Sequence, residues 1–592
     1  MPLMTRFHGI GAAPGIAIGP AQLMEVRLVI APRLVLPGDC QGELARLDAA
    51  LADAEKQYDR IQRQVELEHS GGVREFIEAY RLILHSPELV GESRRLITDE
   101  SFAAEWAVFK AIERIRSIFS RLDDPYFRER GGDFELVGER LLRVLVGLPE
   151  RRPTAGAARG AIVVGTDFSP LDPSQLQKAG IVALVSERGG ATSHAAILAR
   201  AFGMPYVVGV RKLAGNIRPG ATLIVDGSSG EVLVEPDADC LRDYRLRFDA
   251  QRARAEKLHT TRELPSITTD GVSIHLAANV ESLEGLSSAL AAGAESIGLF
   301  RTEFLYLERP DLPSEEEQYQ DALSVLSAVK GRLVTFRTLD LGSDKLPLSI
   351  KMPTGPNPAL GIRSIRFSLQ RPDILRSQLR ALYRASATAP LRIMFPLVSG
   401  VAELKQLQAF CMEICAELAR EGVRHDAKVA LGAMIETPSA ALTADHFSRQ
   451  CNFLSVGTND LIQFAFAADR QNDEVSYLYQ PLHPAILRML KATADGARAA
   501  GITVSVCGDM AGDPFLTLIL MGLGLHELSM DPDRIPMVKA VVRASSLAEA
   551  TRLVEEALEL DDEAAIRALV SAKLGTRFAE DISGAVASSE PA

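Results

Sequence analysis

Cysteine is sparse in this 592-residue chain, with six residues at 40, 240, 411, 415, 451 and 507 and no CxxC pair. That is too few and too scattered for a disulfide scaffold or a zinc site, and it suits a reducing cytoplasm, the expected location. No apolar run reaches the ~20 residues that a membrane span needs. The first stretch, MPLMTRFHGIGAAPG, lacks the continuous apolar core of a secretory signal. Neither membrane insertion nor export is expected. A net charge of −12 argues against nucleic acid as the main partner and is compatible with a basic protein partner. What is present, 47% hydrophobic and 24% charged residues, is the composition of a soluble globular chain. The length suggests about four domains, fewer if one is a barrel.

Texture divides the chain. Leu44, Leu47, Leu51, Ala54, Tyr58, Ile61 and Val65 alternate spacings of three and four, the rhythm of a helix packed in a bundle. Helical patterns continue in REFIEAYRLIL (74–84) and EWAVFKAIERIRSIFSRL (105–122), so 25–149 reads as an all-helical unit. From about 156 short apolar runs divided by glycine take over: GAIVVG, GIVALVS, PYVVGV, ATLIVDG and EVLVEP. These predict strands, interrupted by one helix at 193–202. Residues 1–24 share that texture. They are expected to join 150–236 in one discontinuous α/β domain, with the helical unit inserted into it. GIGAAPG reads as a turn, not a dinucleotide loop, because Pro14 stands where a helix would begin. Residues 237–264 are charged and helix-prone, which suits a linker helix or a plain surface helix. Residues 265–576 then carry eight candidate strands, at 273–279, 296–300, 333–337, 391–396, 429–435, 453–457, 502–507 and 526–530, with helical patterns between most of them. Eight strands with helical crossovers is the count of a (β/α)8 barrel. The tail, 577–592, is rich in Ser, Gly and Ala and is expected to be loose.

Chemistry in such a barrel gathers where the strands end, and these ends are polar. Strand two runs into Arg301-Thr302-Glu303, strand three into Arg337 with Asp340 and Lys345 behind it, and strand five into Glu436. Strand six reaches Asn459-Asp460, with Arg470 further on, and strand seven reaches Cys507. Arginines and carboxylates at strand ends can simply pair with one another, but so many on one rim point to a ligand. Several arginines offer forked donors for phosphate and carboxylate oxygens. Glu436 and Asp460 are hard oxygen ligands of the kind Mg2+ takes, with phosphate and water completing its shell. A small phosphorylated acid bound through Mg2+ fits this set. Cys507 is either a buried structural cysteine or a proton donor, since an ordinary thiol, of pKa about 8.5, is mostly protonated at pH 7. A second site is GGATSHAAILAR, from Gly189 to Arg200. Two glycines permit a sharp turn, Thr192 or Ser193 can cap, and a helix begins at His194. A histidine there lies beside unpaired backbone N–H groups suited to a phosphoryl group, and it can act as a nucleophile.

At these residues the chain resembles enzyme I of the phosphoenolpyruvate-dependent phosphotransferase system. GGATSHAAILAR resembles that family's phosphohistidine segment. LFRTEFLYL, RTLDLGSDK, NPALGIRSIR, LRIMFP, MIETPSA, SVGTNDLIQFAFAADR and VCGDMAG resemble its barrel motifs in their order. LDDPYFRERGGDFELVGERLL is similar to its carrier-binding helical domain and GIGAAPGIAIGPA to its N-terminus, so the likeness runs from about 8 to 575. The resemblance implies a multidomain α/β protein: a swivelling phosphohistidine domain with an inserted helical domain, then a (β/α)8 barrel that binds phosphoenolpyruvate and forms a homodimer. It implies phosphorylation of His194 on Nε2, and phosphoenolpyruvate binding by Arg301, Arg337, Asn459 and Arg470, with Lys345 and Arg363 as further phosphate ligands. It implies Mg2+ on Glu436 and Asp460, protonation of the enolate carbon by Cys507, release of pyruvate, and an HPr-type phosphocarrier protein received by the helical domain. The chain departs from the family at Ala191, where sugar-system members often carry arginine, and at Pro173, Ser343 and Asp509. Two other readings share parts of this pattern. A pyruvate-phosphate dikinase or phosphoenolpyruvate synthase would need a large ATP-binding domain ahead of the histidine, yet only about 190 residues precede His194, most of them helix-patterned, and no GxxxxGK loop occurs. A non-catalytic regulator that binds phosphorylated metabolites would not need both sites intact.

Overall fold

Burying one face of a long helix requires apolar residues at three- and four-residue spacings, and α1 (Cys40–Glu68) does this with Leu47, Leu51, Ala54 and Tyr58. In the computed structural model every residue is described except 1–3, 25–29, 69–72, 120–124, 149–157, 169–175, 178, 192, 212, 307–310, 342–356, 470–471 and 587–592. The chain forms two compact units, 1–254 and 255–592.

In the first unit, α1 packs with α2 (Val73–Leu84), α3 (Glu92–Glu100), α4 (Ala104–Phe119) and α5 (Pro125–Leu145) around Ile77, Leu84, Ile97, Val108 and Leu141. The single tryptophan, Trp106, stacks on Phe109 with ring centroids 5.1 Å apart. The rest is an eight-stranded sheet. Its strands are β1 (Thr5–His8), β2 (Ile10–Ala13), β3 (Ile16–Leu23), β4 (Ile162–Gly165), β5 (Ala183–Ser186), β6 (Tyr206–Val208), β7 (Thr222–Asp226) and β8 (Glu231–Val234). Their order is β1-β8-β7-β3-β4-β5-β6-β2, so the strands that open the chain do join those after the helical segment. β3 pairs with β4 in parallel, Ala21 opposite Ile162. Parallel neighbours need a long crossover, and here the whole helical bundle is that crossover. Most of GIGAAPG is strand rather than turn: Ile10–Ala13 form β2, and only Pro14 and Gly15 link it to β3.

The helix α6 (His194–Ala201) begins where the sequence predicts, at the histidine. Ala195, Ala196 and Ala199 pack on the sheet with Val163, Leu184 and Tyr206. Leu198, 7% exposed, and Phe202 pack instead into the core of the bundle. α7 (Ala238–Thr260) is tied to the sheet by its first half: Arg247 pairs with buried Asp226 at 2.8 Å, and Tyr244 donates to Glu231.

The second unit is a closed barrel of eight parallel strands: β9 (His275–Val280), β10 (Ser296–Arg301), β11 (Val334–Arg337), β12 (Leu391–Phe395), β13 (Ala430–Ile435), β14 (Phe453–Val456), β15 (Thr503–Val506) and β16 (Glu527–Met530). All eight fall within a residue or two of the apolar runs read from sequence, and the helices Glu315–Ala328, Pro372–Ala385 and Val401–Arg420 lie between them as expected. The first of these starts with a reciprocal cap, Ser314 and Glu317 each bonding the other's backbone. Inside, Leu299, Met394, Met434, Phe453 and Cys507 form a plug. Gly432 makes room for it, because a Cβ there would lie 2.5 Å from the Phe453 ring. The last helix runs Glu563–Val586, so helix continues past 577, where the sequence predicts a loose tail. Ala, Glu and Arg in that segment are helix formers, and this propensity outweighs its glycine and serine content.

Because α6 is held from two sides, Leu198→Ala should loosen the bundle from the sheet and cost about 2–5 kcal/mol of stability in the first unit. Urea unfolding followed by Trp106 fluorescence measures this; an unchanged midpoint would refute the double-sided packing.

Candidate active site

All eight barrel strands are parallel, so their C-terminal ends open on one rim, and the charged residues after β10, β11, β13 and β14 meet there. Arg337, at the end of β11, bonds Glu303 at 3.1 Å and Asp340 at 2.9 Å. Asp340 also accepts from Ser364 and from Arg363 at 3.1 Å, and Arg363 reaches on to Asp460 at 3.3 Å. Arg301 pairs with Glu281. One chain of alternating charge, from Glu303 through Arg337, Asp340 and Arg363 to Asp460, therefore links residues that follow three strands, β10, β11 and β14, with the Arg301 and Glu281 pair beside it. Burial by itself would lower the Arg337 guanidinium, but Glu303, Asp340 and Glu436 outweigh it and keep it firmly charged. Burial likewise pushes Asp340 up, and Arg337 and Arg363 pull it down, to about 2.

Glu436 is different. It is 2% exposed, and its carboxylate accepts from the backbone N–H of Leu397. Leu397 holds φ at +51°, a strained value for a branched residue, of the kind that concentrates at functional sites. Burial first, then the negative charge of Asp340 and Asp460, pushes Glu436 well above the usual carboxylate range. Among the described residues no ion pair relieves it, and no group of three or more His, Cys, Asp or Glu could hold a metal alone. A buried carboxylate and a half-buried one in mutual repulsion suit a divalent cation that takes its remaining ligands from phosphate and water.

Cys507 follows β15 and is 4% exposed, with its backbone N–H on the Val456 carbonyl at 3.0 Å. Burial pushes the thiol up to about 11, so it is protonated at neutral pH. The chain turns next at Gly508, where a Cβ would lie 2.0 Å from Thr458 Oγ1. Asn459 accepts from the Asp509 backbone at 2.9 Å, which fixes its amide by the oxygen. The departure at Asp509 thus falls on a residue that the site holds by its main chain.

In the first unit, Ser193 caps α6 by accepting from the Ala196 N–H at 3.3 Å, and Gly189 turns the chain at φ +99°. His194 is the first helical residue, and only its main chain is described. Ala191, half-buried, packs against the sheet side of the helix, where a long arginine would not fit without shifting outwards. Thr192, Lys345 and Arg470 lie outside the described residues, as do Pro173 and Ser343.

Of the predicted barrel residues, Arg337, Arg363, Asp460, Glu436 and Cys507 share one electrostatic neighbourhood, and Asn459 adjoins it. The sequence reading missed the supports. Gln378, on helix Pro372–Ala385, donates to Thr302 at 3.0 Å and accepts from the Leu339 N–H at 3.0 Å. Thr302 in turn donates to the Arg337 carbonyl at 2.9 Å. A glutamine on the inner face of an amphipathic helix is the one signal that could have flagged this clamp.

A barrel rim lined by arginines and paired carboxylates, in one chain with a sheet domain that places a histidine at a helix start, defines a class of phosphoryl-handling enzyme. Family models agree. Residues 8–130 match the N-terminal domain of PEP-utilising enzymes, 157–230 their mobile domain and 255–547 their PEP-binding domain. The chain is 39% identical over 558 residues to the phosphoenolpyruvate-protein phosphotransferase of Geobacillus stearothermophilus, covering 93% of this chain and 95% of that one. It is 38% identical over 568 residues to the protein of that name from Cupriavidus necator (94% and 97%) and 36% over 558 residues to that from Bacillus subtilis (94% and 97%). The chain belongs to the phosphoenolpyruvate-protein phosphotransferase family and is a phosphotransferase.

Because a methyl group at 508 collides with Thr458, Gly508→Ala should displace the Cys507 turn and lower turnover by about 10-fold or more. Circular dichroism should stay unchanged; a variant of wild-type turnover would show that this close approach is unimportant.

Proposed function

We propose that the enzyme takes the phosphoryl group of phosphoenolpyruvate onto Nε2 of His194 and passes it to a histidine of an HPr-type carrier protein, releasing pyruvate. The observation that carries this reading is the convergence of Arg337, Arg363, Glu436, Asp460 and Cys507 at the barrel mouth. The names of its relatives support the donor.

Arg301, Arg337, Asn459 and Arg470 bind the substrate, with Lys345 and Arg363 as further phosphate ligands. In this role Arg363 exchanges carboxylates for phosphate oxygens, since its guanidinium is already at the rim. Glu436 and Asp460 would hold Mg2+, which would neutralise charge on the phosphoryl oxygens. As the bond from phosphorus to the enol oxygen breaks, a bond from phosphorus to His194 forms, and the arginines stabilise the enolate left behind. The Cys507 thiol gives its proton to C3 of that enolate, completing pyruvate, and the thiolate regains a proton from water. A thiol held protonated by burial is the right form for an acid, and the Arg337 charge beside it lowers the cost of the thiolate.

Carriage to the second acceptor uses the first unit. The backbone N–H groups at the start of α6 favour the phosphohistidine, and the helical segment 25–149 receives the carrier. His194 must meet two partners in turn, so the α/β domain swings on the helix that follows it. The barrel is the dimerisation unit, and the protein works in the cytoplasm.

His194→Ala should abolish labelling by phosphoenolpyruvate while the protein remains folded; a labelled variant would place the phosphate elsewhere. Excess EDTA should stop the reaction with phosphoenolpyruvate, Mn2+ should restore it, and exchange between His194 and a phosphorylated carrier should continue without metal. Full turnover of phosphoenolpyruvate in EDTA would remove Glu436 and Asp460 from the metal role.

A further inference from the structure

A proton donor is useful only if its position is fixed relative to one face of the carbon it protonates. The ladder between β15 and β16 stops at Val506 opposite Leu528, so Cys507 lies beyond the last sheet pair that could hold it. One tie comes from β14, whose Val456 carbonyl accepts the Cys507 N–H at 3.0 Å and faces Sγ at 3.5 Å. The other comes from farther away. Asn279, near the end of β9, donates its side-chain N–H to the Cys507 carbonyl at 2.9 Å. β9 and β15 are not neighbours, because β16 stands between them. The amide therefore crosses one strand to reach the residue after the next.

Only a side chain with both a donor and an acceptor could do this and remain fixed. The Asn279 oxygen accepts from Ser529 Oγ at 2.7 Å, and Ser529, on the intervening strand β16, is fully buried. Room for that serine comes from Gly298 on β10, where a Cβ would lie 2.4 Å from Ser529 Oγ. Gly298, Ser529 and Asn279, on three strands, thus form one line with Cys507 at the end of a fourth. Leu299, Met394, Met434 and Phe453 pack beneath the thiol, so Sγ is held from below as well.

We infer that Asn279, locked by Ser529, is a positioning residue that aims the Cys507 thiol at one face of the enolate during pyruvate formation. The inference rests on the proposed role of Cys507. The thiol proton passes to C3 as the enolate π electrons form the C–H bond, and the thiolate is reprotonated by water. With Sγ fixed, the proton arrives on a single face. With the Cys507 carbonyl released, the turn at 507–509 loosens, and protonation becomes slower and less selective.

The full-length enzyme with Mg2+ and a purified HPr-type carrier tests this. Phosphoenolpyruvate bearing one deuterium at C3 in a single defined alkene geometry, E or Z, is turned over in tritiated water, and the configuration of the chiral methyl group of pyruvate is determined. The wild type should give one configuration in excess. Asn279→Leu, similar in size and without hydrogen bonds, should lower kcat by about 10- to 100-fold, leave KM for phosphoenolpyruvate within about threefold, and give nearly racemic methyl. Ser529→Ala, a milder variant should Asn279→Leu fail to fold, should shift both readouts in the same direction. In the background of Cys507→Ala, Asn279→Leu should cause little further loss. Phosphate exchange between His194 and the carrier should be unaffected. Retained stereochemistry in the variants, whatever their rate, would reduce Asn279 to a structural contact and overturn the inference, as would a racemic product from the wild type. A wild type that takes no phosphate from phosphoenolpyruvate would instead sink the proposed function itself.

Discussion

Charge that leaves water must find a partner, and the rim of the barrel is built around that requirement. Arg337 is the centre. Its side chain is only 11% exposed, it cannot lose its proton, and it sits between Glu303 and Asp340. Asp340 passes the pairing on to Arg363, and Arg363 passes it to Asp460. Removing a member takes a charged partner from each of its neighbours, so the loops after β10, β11 and β14 are fixed relative to one another by electrostatics as much as by packing. Glu436 is the carboxylate that this scheme does not satisfy. It is pushed above its usual range by burial and by the negative charge of Asp340 and Asp460.

Neutral groups then set the distances. Gln378 clamps Thr302 to the backbone at Leu339, and Asn279 joins Ser529 to Cys507. Each is a side-chain amide that uses its donor and acceptor ends on different strands or loops. Such bonds add little net stability, about 1 kcal/mol each, but an unpaired buried partner costs more than that. Their effect is therefore on geometry. They restrict which arrangements of the rim are affordable, and catalysis depends on geometry at the scale of an ångström.

The first unit meets a different constraint. α6 is only eight residues long, too short to persist alone. Small alanines let it lie close on the sheet, while Leu198 enters the bundle on the other side. The start of the helix, with the Ser193 cap and the histidine, is thereby fixed by two surfaces rather than by its own hydrogen bonds.

The apolar runs of the second half marked all eight barrel strands, because a strand buried on both faces must be apolar nearly throughout. The three-and-four spacing marked the bundle, and the Ser-His step after two glycines marked the start of α6. Polar residues at strand ends were legible as a set, since parallel strands bring all their C-terminal ends to one face. What remained hidden was pairing across distance. Nothing local in the sequence distinguishes Asn279 from other polar residues on a strand, the inner-face position of Gln378 is its only local signal, and the place of Asp340 behind strand three does not say which arginines it pairs with. Helix Glu563–Val586 also ran past its expected end, as local composition is a poor guide to where a helix stops. Sequence by itself thus determined the elements, their order and the chemical character of the rim, because these follow from short-range periodicity and residue type. Only the tertiary structure decided which charge pairs with which and which carboxylate is pushed above its usual range. It also decided which amide holds the thiol, because those relations join residues as far apart as 279 and 507 and exist only once the barrel has closed.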